Sequence, residues 1–352
     1  NVPRIDYTGG GCPHILAEPQ RTNVLQYSQA IGSNGFSAVG TSIVADQTTS
    51  PDGTQNAVLH KEDNSNGSHF MFKDFNLSSG QAYTISIFAK SKGVNRGLKF
   101  GDGGLGWSSG FNAFFDLTNG TTSGSGGVIE NFGNGWFRCS VTGTTNATTS
   151  RLIVYNTLNG VTNYQGDNSS GVFLYGFQIE AGSYPTSYIP TSGSTATRAA
   201  ETCLNGGNNQ VINSTEGVLF LNAAVISKNY DFPTISLNDG SNNNKVRIFP
   251  VGLGGNNVQV QVDENNNTKA FSATNGNYDT TNFNKIAVSW KANNFSMWMN
   301  GELGTPSSSG SGNAPVGLNN VDFTSPNFYG KIKQLEVYNT ALTDSELKTL
   351  TT

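Results

Sequence analysis

Apolar and polar residues alternate with a period of two along much of the chain. In 82–91 (AYTISIFAKS), Tyr83, Ile85 and Ile87 fall on one face and Thr84 and Ser86 on the other. That pattern predicts a half-buried antiparallel strand. Further strands are predicted at 111–117, 135–143, 151–158 and 171–182. In the second half they are predicted at 217–227, 245–252, 258–264, 285–292, 295–302 and 330–339. Turn-forming runs such as SPDGT, SSG, GDGG and NGTTSGSGG separate them. Asn293-Asn294 lies between 285–292 and 295–302 and predicts a hairpin there. One helix signal closes the chain: Thr343 is an N-cap, Glu346 its capping-box partner, and Leu347 and Leu350 form an apolar side.

Many short strands without a helical pattern between them predict an all-β fold of two antiparallel β-sandwich (jelly-roll) domains with one short C-terminal helix. Residues 1–22 read as an N-terminal arm that either lies along the first domain or pairs with a neighbouring chain. Residues 23–190 read as the first domain, 191–215 as a polar linker, and 216–352 as the second domain.

Composition supports this picture. The 352 residues include 43 Gly, only 12% are charged and 11% are aromatic. Gly and Asn supply the positive-φ positions of hairpins, and the aromatics supply a core. Net charge is −4 with no basic block, so nucleic acid is not an expected partner. No run of about 18 apolar residues exists, so no membrane-inserted helix is expected. The opening at Asn1 reads as that of a mature, trimmed or excised piece of something longer. Cys139 alternates with Phe137 and Val141 and reads as a small core residue. Cys12 and Cys203 flank the first domain, and whether they are bridged stays open.

Catalytic patterns are missing. Paired carboxylates ~5–9 Å apart are needed for glycoside hydrolysis, but Asp116, Glu130 and Glu180 stand alone in their strands. Asp263-Glu264 are neighbours that point to opposite faces and read as a solvated turn. His14, His60 and His69 border loop-like runs outside the clear inner strands, so a histidine base is not expected. Asp63-Asn64-Ser65-Asn66-Gly67 lacks the Glu that a calcium loop places six residues after its Gly, where Lys73 stands, and reads as an Asn-rich turn. The chain is therefore read as a binding protein and not an enzyme.

Four blocks carry a resemblance: PRIDYTGGGCPHILAEPQRTN (3–23), GNGWFRCS (133–140), LYGFQIEAGSYPTSYIPT (174–191) and SYIPTSGSTATRAAETC (187–203). In this order they resemble a module of phage tail and head fibre proteins that is similar to carbohydrate-binding-module jelly rolls. KIAVSWKANNFSMWMNGEL (285–303) and FYGKIKQLEVYNTALTDSELKTL (328–350) resemble the laminin-G-like, concanavalin A-like lectin/glucanase family. The resemblance implies a virion component, extracellular, that binds bacterial surface glycan, contacts other virion structural proteins and forms a homo-oligomer, a trimer. A purely structural fibre or head-decoration protein, a secreted bacterial adhesin and a tailspike-like depolymerase are the alternatives. Carbohydrate-binding jelly rolls often carry one structural Ca2+, and Glu180 is the candidate ligand.

Tryptophans sort by context as candidates for a sugar platform. Trp136, Trp290 and Trp298 alternate with apolar neighbours or open a strand and read as core. Trp107, in the Gly-rich run GDGGLGWSSG, reads as an exposed platform, with Tyr155 and Tyr164 sharing its rim, and a plain loop anchor is the rival reading.

Overall fold

A computed structural model of the protein describes residues 4–7, 12–108, 111–228, 233–252, 257–274, 276, 278–306, 312–323 and 328–352. The fold is nearly all β, with one α-helix among the described residues. The chain divides into two compact units, 20–199 and 1–19 plus 200–352.

The first unit is a sandwich of two six-stranded antiparallel sheets. One sheet runs Thr121–Ser125, Asn112–Asp116, Arg96–Gly101, Thr149–Leu158, Phe70–Asn76, Ser37–Val39. The other runs Gly127–Gly133, Trp136–Thr144, Ala82–Lys92, Gly171–Ala181, Ala57–Glu62, Thr41–Thr48. Between them lies one apolar core that includes Ile85, Ile87, Leu98, Phe100, Phe115, Cys139, Val154 and Phe177. The period-two faces of the sequence are thus realised, with Tyr83, Ile85 and Ile87 turned inward together. The centre of the outer face of the second sheet is covered, while its edge strands stay exposed. The stretch 183–191 runs across it: Arg138 donates to the Thr186 carbonyl at 2.5 Å, and the Ile189 amide donates to Gln178 at 2.7 Å. Tyr188 packs edge-on against Phe88 and Tyr175.

The second unit is also a sandwich. Its seven-stranded sheet runs Ile5–Asp6, His14–Ala17, Gly330–Tyr338, Glu216–Val225, Asn284–Lys291, Asn294–Met299, Glu302–Leu303. Its six-stranded sheet runs Thr305–Pro306, Asn267–Ala273, Gln259–Glu264, Lys245–Phe249, Ile235–Asn238, Asn320–Asp322. The hairpin of 285–303 forms with Lys291 opposite Asn294, so the two-residue turn is Ala292-Asn293, and Asn293 takes the positive φ of 60°. Helix Asp344–Thr351 has both halves of its capping box and lays Leu347 on Val218, Phe220, Ala287 and Trp298.

Two boundaries differ from the sequence reading. Residues 1–19 are part of the second sandwich: His14–Ala17 pairs with Gly330–Tyr338, and Arg4 bridges Glu18 and Glu201 at 2.6 and 2.9 Å. The span 191–215 is divided between the units. Ala196–Arg198 pairs with Arg21–Asn23 in the first, while Ile212 is buried in the core of the second. The second sandwich is therefore assembled from both ends of the chain, and short polar segments joined it only through long-range pairing. Cys12, Cys139 and Cys203 are all free thiols.

Candidate functional site

The outer face of the first sheet of sandwich one differs from its covered counterpart. Strand alternation sends Leu98 and Phe100 inward, and so turns Gly97 and Lys99 outward. The register then builds a row across five strands: Ser123, Phe114, Lys99, Tyr155 and Phe70 stand side by side. The Lys99 ammonium lies 4.7 Å from the Phe114 ring centroid and 5.2 Å from that of Tyr155. Tyr155 and Phe70 are 5.1 Å apart, and Phe72 continues the aromatic surface at 6.1 Å from Phe70. Burial lowers the Lys99 pKa, and burial, followed by the charge of Asp102, raises that of Tyr155.

Beside this row lies a cleft of about 470 Å³. Gly97 and Thr157 face each other on its floor, and Phe114, Asp116, Asn119, Thr121, Asn95 and Asn159 surround it. Gly97 cannot be enlarged without contact: a Cβ there would lie 2.5 Å from the Phe115 carbonyl oxygen and 2.8 Å from Thr157 Oγ1. The bare backbone keeps the floor low. Asp116 is held as a carboxylate by Asn119 Nδ2 and by the amides of Thr118 and Asn119, which lower its pKa. The wall thus offers hydroxyls, amides and one ionised acceptor beside an aromatic edge. That set can hydrogen-bond a polyhydroxylated ligand and cover its apolar ring face.

The predicted site residues are not brought together. Tyr155 belongs to the row described above. Trp107 does not: it is buried, with its ring T-shaped against Phe111 at 4.7 Å and its indole N–H donated to the Arg151 carbonyl at 2.8 Å. The Gly-rich run is tied down at its centre, where Ser108 N donates to the Thr144 carbonyl and Arg151 N to that of Leu105. Gly143 makes room for the indole, since a Cβ there would sit 2.9 Å from it. The glycines that suggested an exposed loop are what let it close onto the sandwich.

Tyr164 is also buried. Its hydroxyl donates to Glu62 at 2.9 Å, and its ring lies 4.5 Å from that of His69. Burial, followed by Glu62, pushes its pKa far up. Glu62 is held in addition by a bidentate Arg96, at 2.8 and 2.6 Å. His60, His69 and His14 are all buried, His60 and His14 within strands, contrary to their loop-like sequence setting. Desolvation lowers the His60 pKa to about 3, so it stays neutral.

Glu180 is fully buried and held by protein donors. Its Oε1 accepts from Gln178 at 2.6 Å and from the Thr186 amide at 2.8 Å, and its Oε2 accepts from the Thr186 hydroxyl at 2.6 Å. Arg21 stands 3.7 Å away. Those donors take up the lone pairs that calcium would need, and the residues here do not fit that ion. Asp263 is likewise not in a solvated turn but buried, bonded to Arg247 at 2.5 Å, Gln261 and Thr268. The Asn-rich run expected to turn does so only at its start, where the Asp63 carboxylate accepts from Ser65 N and Oγ; Asn66 and Gly67 open a short strand, Asn66–Ser68, paired with Asn163–Gln165.

Phe70, Phe72, Lys99 and Phe114 escaped the sequence reading. The available signal was apolar residues in both phases of one strand, as in Phe114-Phe115 and Phe70-Met71-Phe72. Such strands either are covered on both faces or carry a platform on one.

Residues 223–348 match the family model described as the concanavalin A-like lectin/glucanases superfamily, of laminin G type. The matched span lies within the second sandwich, which is laminin G-like. Among solved structures, the chain is similar to the native heptameric SAP-like pentraxin from Limulus polyphemus, with 9% identity and a TM-score of 0.35 over 43% of this chain and 75% of that one. It is similar to the IT-sialidase CBM40 of Ruminococcus gnavus, with 18% identity and a TM-score of 0.33 over 40% and 84%. It is also similar to domains LG4-5 of the mouse laminin alpha1 chain, with 11% identity and a TM-score of 0.28 over 80% and 92%. No curated protein sequence matches the chain. The laminin G-like domain shares its strand-plus-helix closure, Gly330–Tyr338 followed by Asp344–Thr351, with the segment singled out by sequence resemblance.

Proposed function

We propose that the protein is a virion fibre or tail component that binds host cell-surface carbohydrate on the uncovered sheet of its first sandwich. One observation carries the binding site: of the two outer faces of that sandwich, one is covered at its centre by 183–191, and the other presents the Phe114–Lys99–Tyr155–Phe70 row beside a polar cleft. A row of aromatic surface left half-exposed on a sheet is costly unless something covers it. A saccharide fits both halves, stacking an apolar ring face on the row and placing hydroxyls in the cleft. The laminin G-like lectin domain agrees with a carbohydrate role, and the virion context is supported by the four resembling blocks at 3–23, 133–140, 174–191 and 187–203. The reading is of binding without turnover, because Asp116 is the one carboxylate among the described residues that line the cleft, where glycoside hydrolysis uses two. A homotrimeric fibre is part of the proposal.

The test is a glycan array of bacterial surface polysaccharides probed with the wild-type chain, Phe114→Ala and Tyr155→Ala. Truncating an aromatic anchor should weaken binding by roughly tenfold or more. Binding unchanged in both variants would move the site elsewhere. A monomer in solution at high concentration, measured by light scattering, would overturn the trimer.

A further inference from the structure

The uncovered face holds two central cations, and they are not in the same state. Arg151 is neutralised: it makes two hydrogen bonds to Asp74, at 2.7 and 2.9 Å, and lies over Phe72 at 5.0 Å. Lys99 has no ion pair or hydrogen bond among the described residues, and Asp102 acts on it only through longer-range charge. It is half-buried between two rings, which face it with π-density, and no hydrogen bond joins it to the Tyr155 hydroxyl. Its N–H donors are left for acceptors arriving from the open side of the sheet. Burial without an anion lowers its pKa, which agrees with an incompletely compensated charge.

Lys99 and Gly97 lie on the same face of one strand, two residues and so about 7 Å apart. That spacing puts the backbone of the cleft floor about one sugar ring along the strand from the Lys99 backbone. Asp116 is exposed, and its Oδ2 accepts only from Asn119 Nδ2, which leaves that oxygen able to accept a hydroxyl.

We propose that this face selects an acidic saccharide: a ring carboxylate bound by Lys99 between Phe114 and Tyr155, with the adjoining ring's hydroxyls in the cleft over Gly97. This rests on the reading of the face as a glycan site. The chemistry requires a carboxylate substituent, as in a uronic acid, on a ring that still has one apolar face to lie on the aromatics. A charge-assisted bond from a half-buried ammonium is the interaction that would separate such a ligand from its neutral counterpart.

The test uses an array of uronic-acid-containing bacterial polysaccharides, each printed beside its carboxyl-reduced neutral form. It is probed with wild type, Lys99→Gln, Lys99→Arg and Phe114→Ala, and thermal melting of each variant checks folding. Wild type should prefer an acidic member over its reduced form by roughly tenfold or more. Lys99→Gln should lose that preference, Lys99→Arg should keep most of it, and added salt should weaken acidic binding in wild type only. Equal binding of acidic and reduced forms, abolished by Phe114→Ala, would overturn the acidic selectivity and leave the glycan face standing. Acidic preference that survives in Lys99→Gln would also overturn it. Absence of binding to every acidic and neutral member would sink both the selectivity and the glycan face.

Discussion

Replacing Trp107 by alanine separates a core tryptophan from a ligand platform. The indole is 8% exposed, packs edge-on against Phe111 at 4.7 Å and donates its N–H to the Arg151 carbonyl at 2.8 Å. Truncation leaves a cavity roofed by the 102–108 segment, which cannot collapse freely because its Ser108 amide donates to the Thr144 carbonyl and its Leu105 carbonyl accepts from the Arg151 amide. Buried Phe or Trp to Ala changes cost ~3–5 kcal/mol, and the lost hydrogen bond to a buried carbonyl falls within that spread. In a domain of 150–250 residues each kcal/mol moves Tm by about 2–4 °C, so the transition of the first sandwich should fall by about 10 °C. Differential scanning calorimetry measures the shift. Hydrogen exchange of amides in Ala82–Lys92 assigns it to this sandwich. Trp107→Phe keeps most of the ring volume and should fall by less than half as much. Glycan binding per folded molecule should not change in either variant. A shift under ~1 kcal/mol together with lost binding would refute the core assignment and restore Trp107 as a platform.

Other consequences can be measured in the same way. His60 has a folded pKa of about 3 against 6.5 free, lowered mainly by burial, so the unfolded chain takes up a proton that the native state refuses. Its contribution to stability is intact above about pH 6.5 and is lost as pH falls toward 3, by up to ~1.4 kcal/mol per pH unit. The Tm of His60→Gln should therefore fall less steeply than that of wild type between pH 6.5 and 4, and parallel curves would contradict the buried neutral state. Removing Arg96 leaves the buried Glu62 with only Tyr164 and the Asp167 amide. Arg96→Met should cost ~3–5 kcal/mol, and adding Glu62→Gln should recover part of it, as read by urea denaturation. Equal stability of the single and double variants would argue against a coupled pair. Glu180→Ala, which strands the Thr186 amide and hydroxyl and Gln178, should destabilise by ~2–4 kcal/mol to the same extent with and without EGTA. A loss seen only in calcium would point to a metal there after all.

The signals legible in the residues alone are local. Period-two alternation and Asn/Gly turn chemistry specified strands such as Ala82–Lys92 and the hairpin of 285–303. Thr343 and Glu346 specified the helix start, because each signal resides in residues a few positions apart. Core membership of Trp136, Cys139 and Trp290 was legible for the same reason. The site was legible only at Tyr155. Whether an outward residue meets solvent, a partner strand or a covering segment depends on what returns to it from far along the chain. Tertiary structure alone put 183–191 over one sheet and left the other open, closed the Gly-rich run over Trp107, and drew residues 1–19 into the second sandwich. Cross-strand register likewise set Phe114, Lys99 and Tyr155 side by side from positions up to 56 apart in sequence. Alternation states which face a residue takes, but long-range pairing decides what that face becomes.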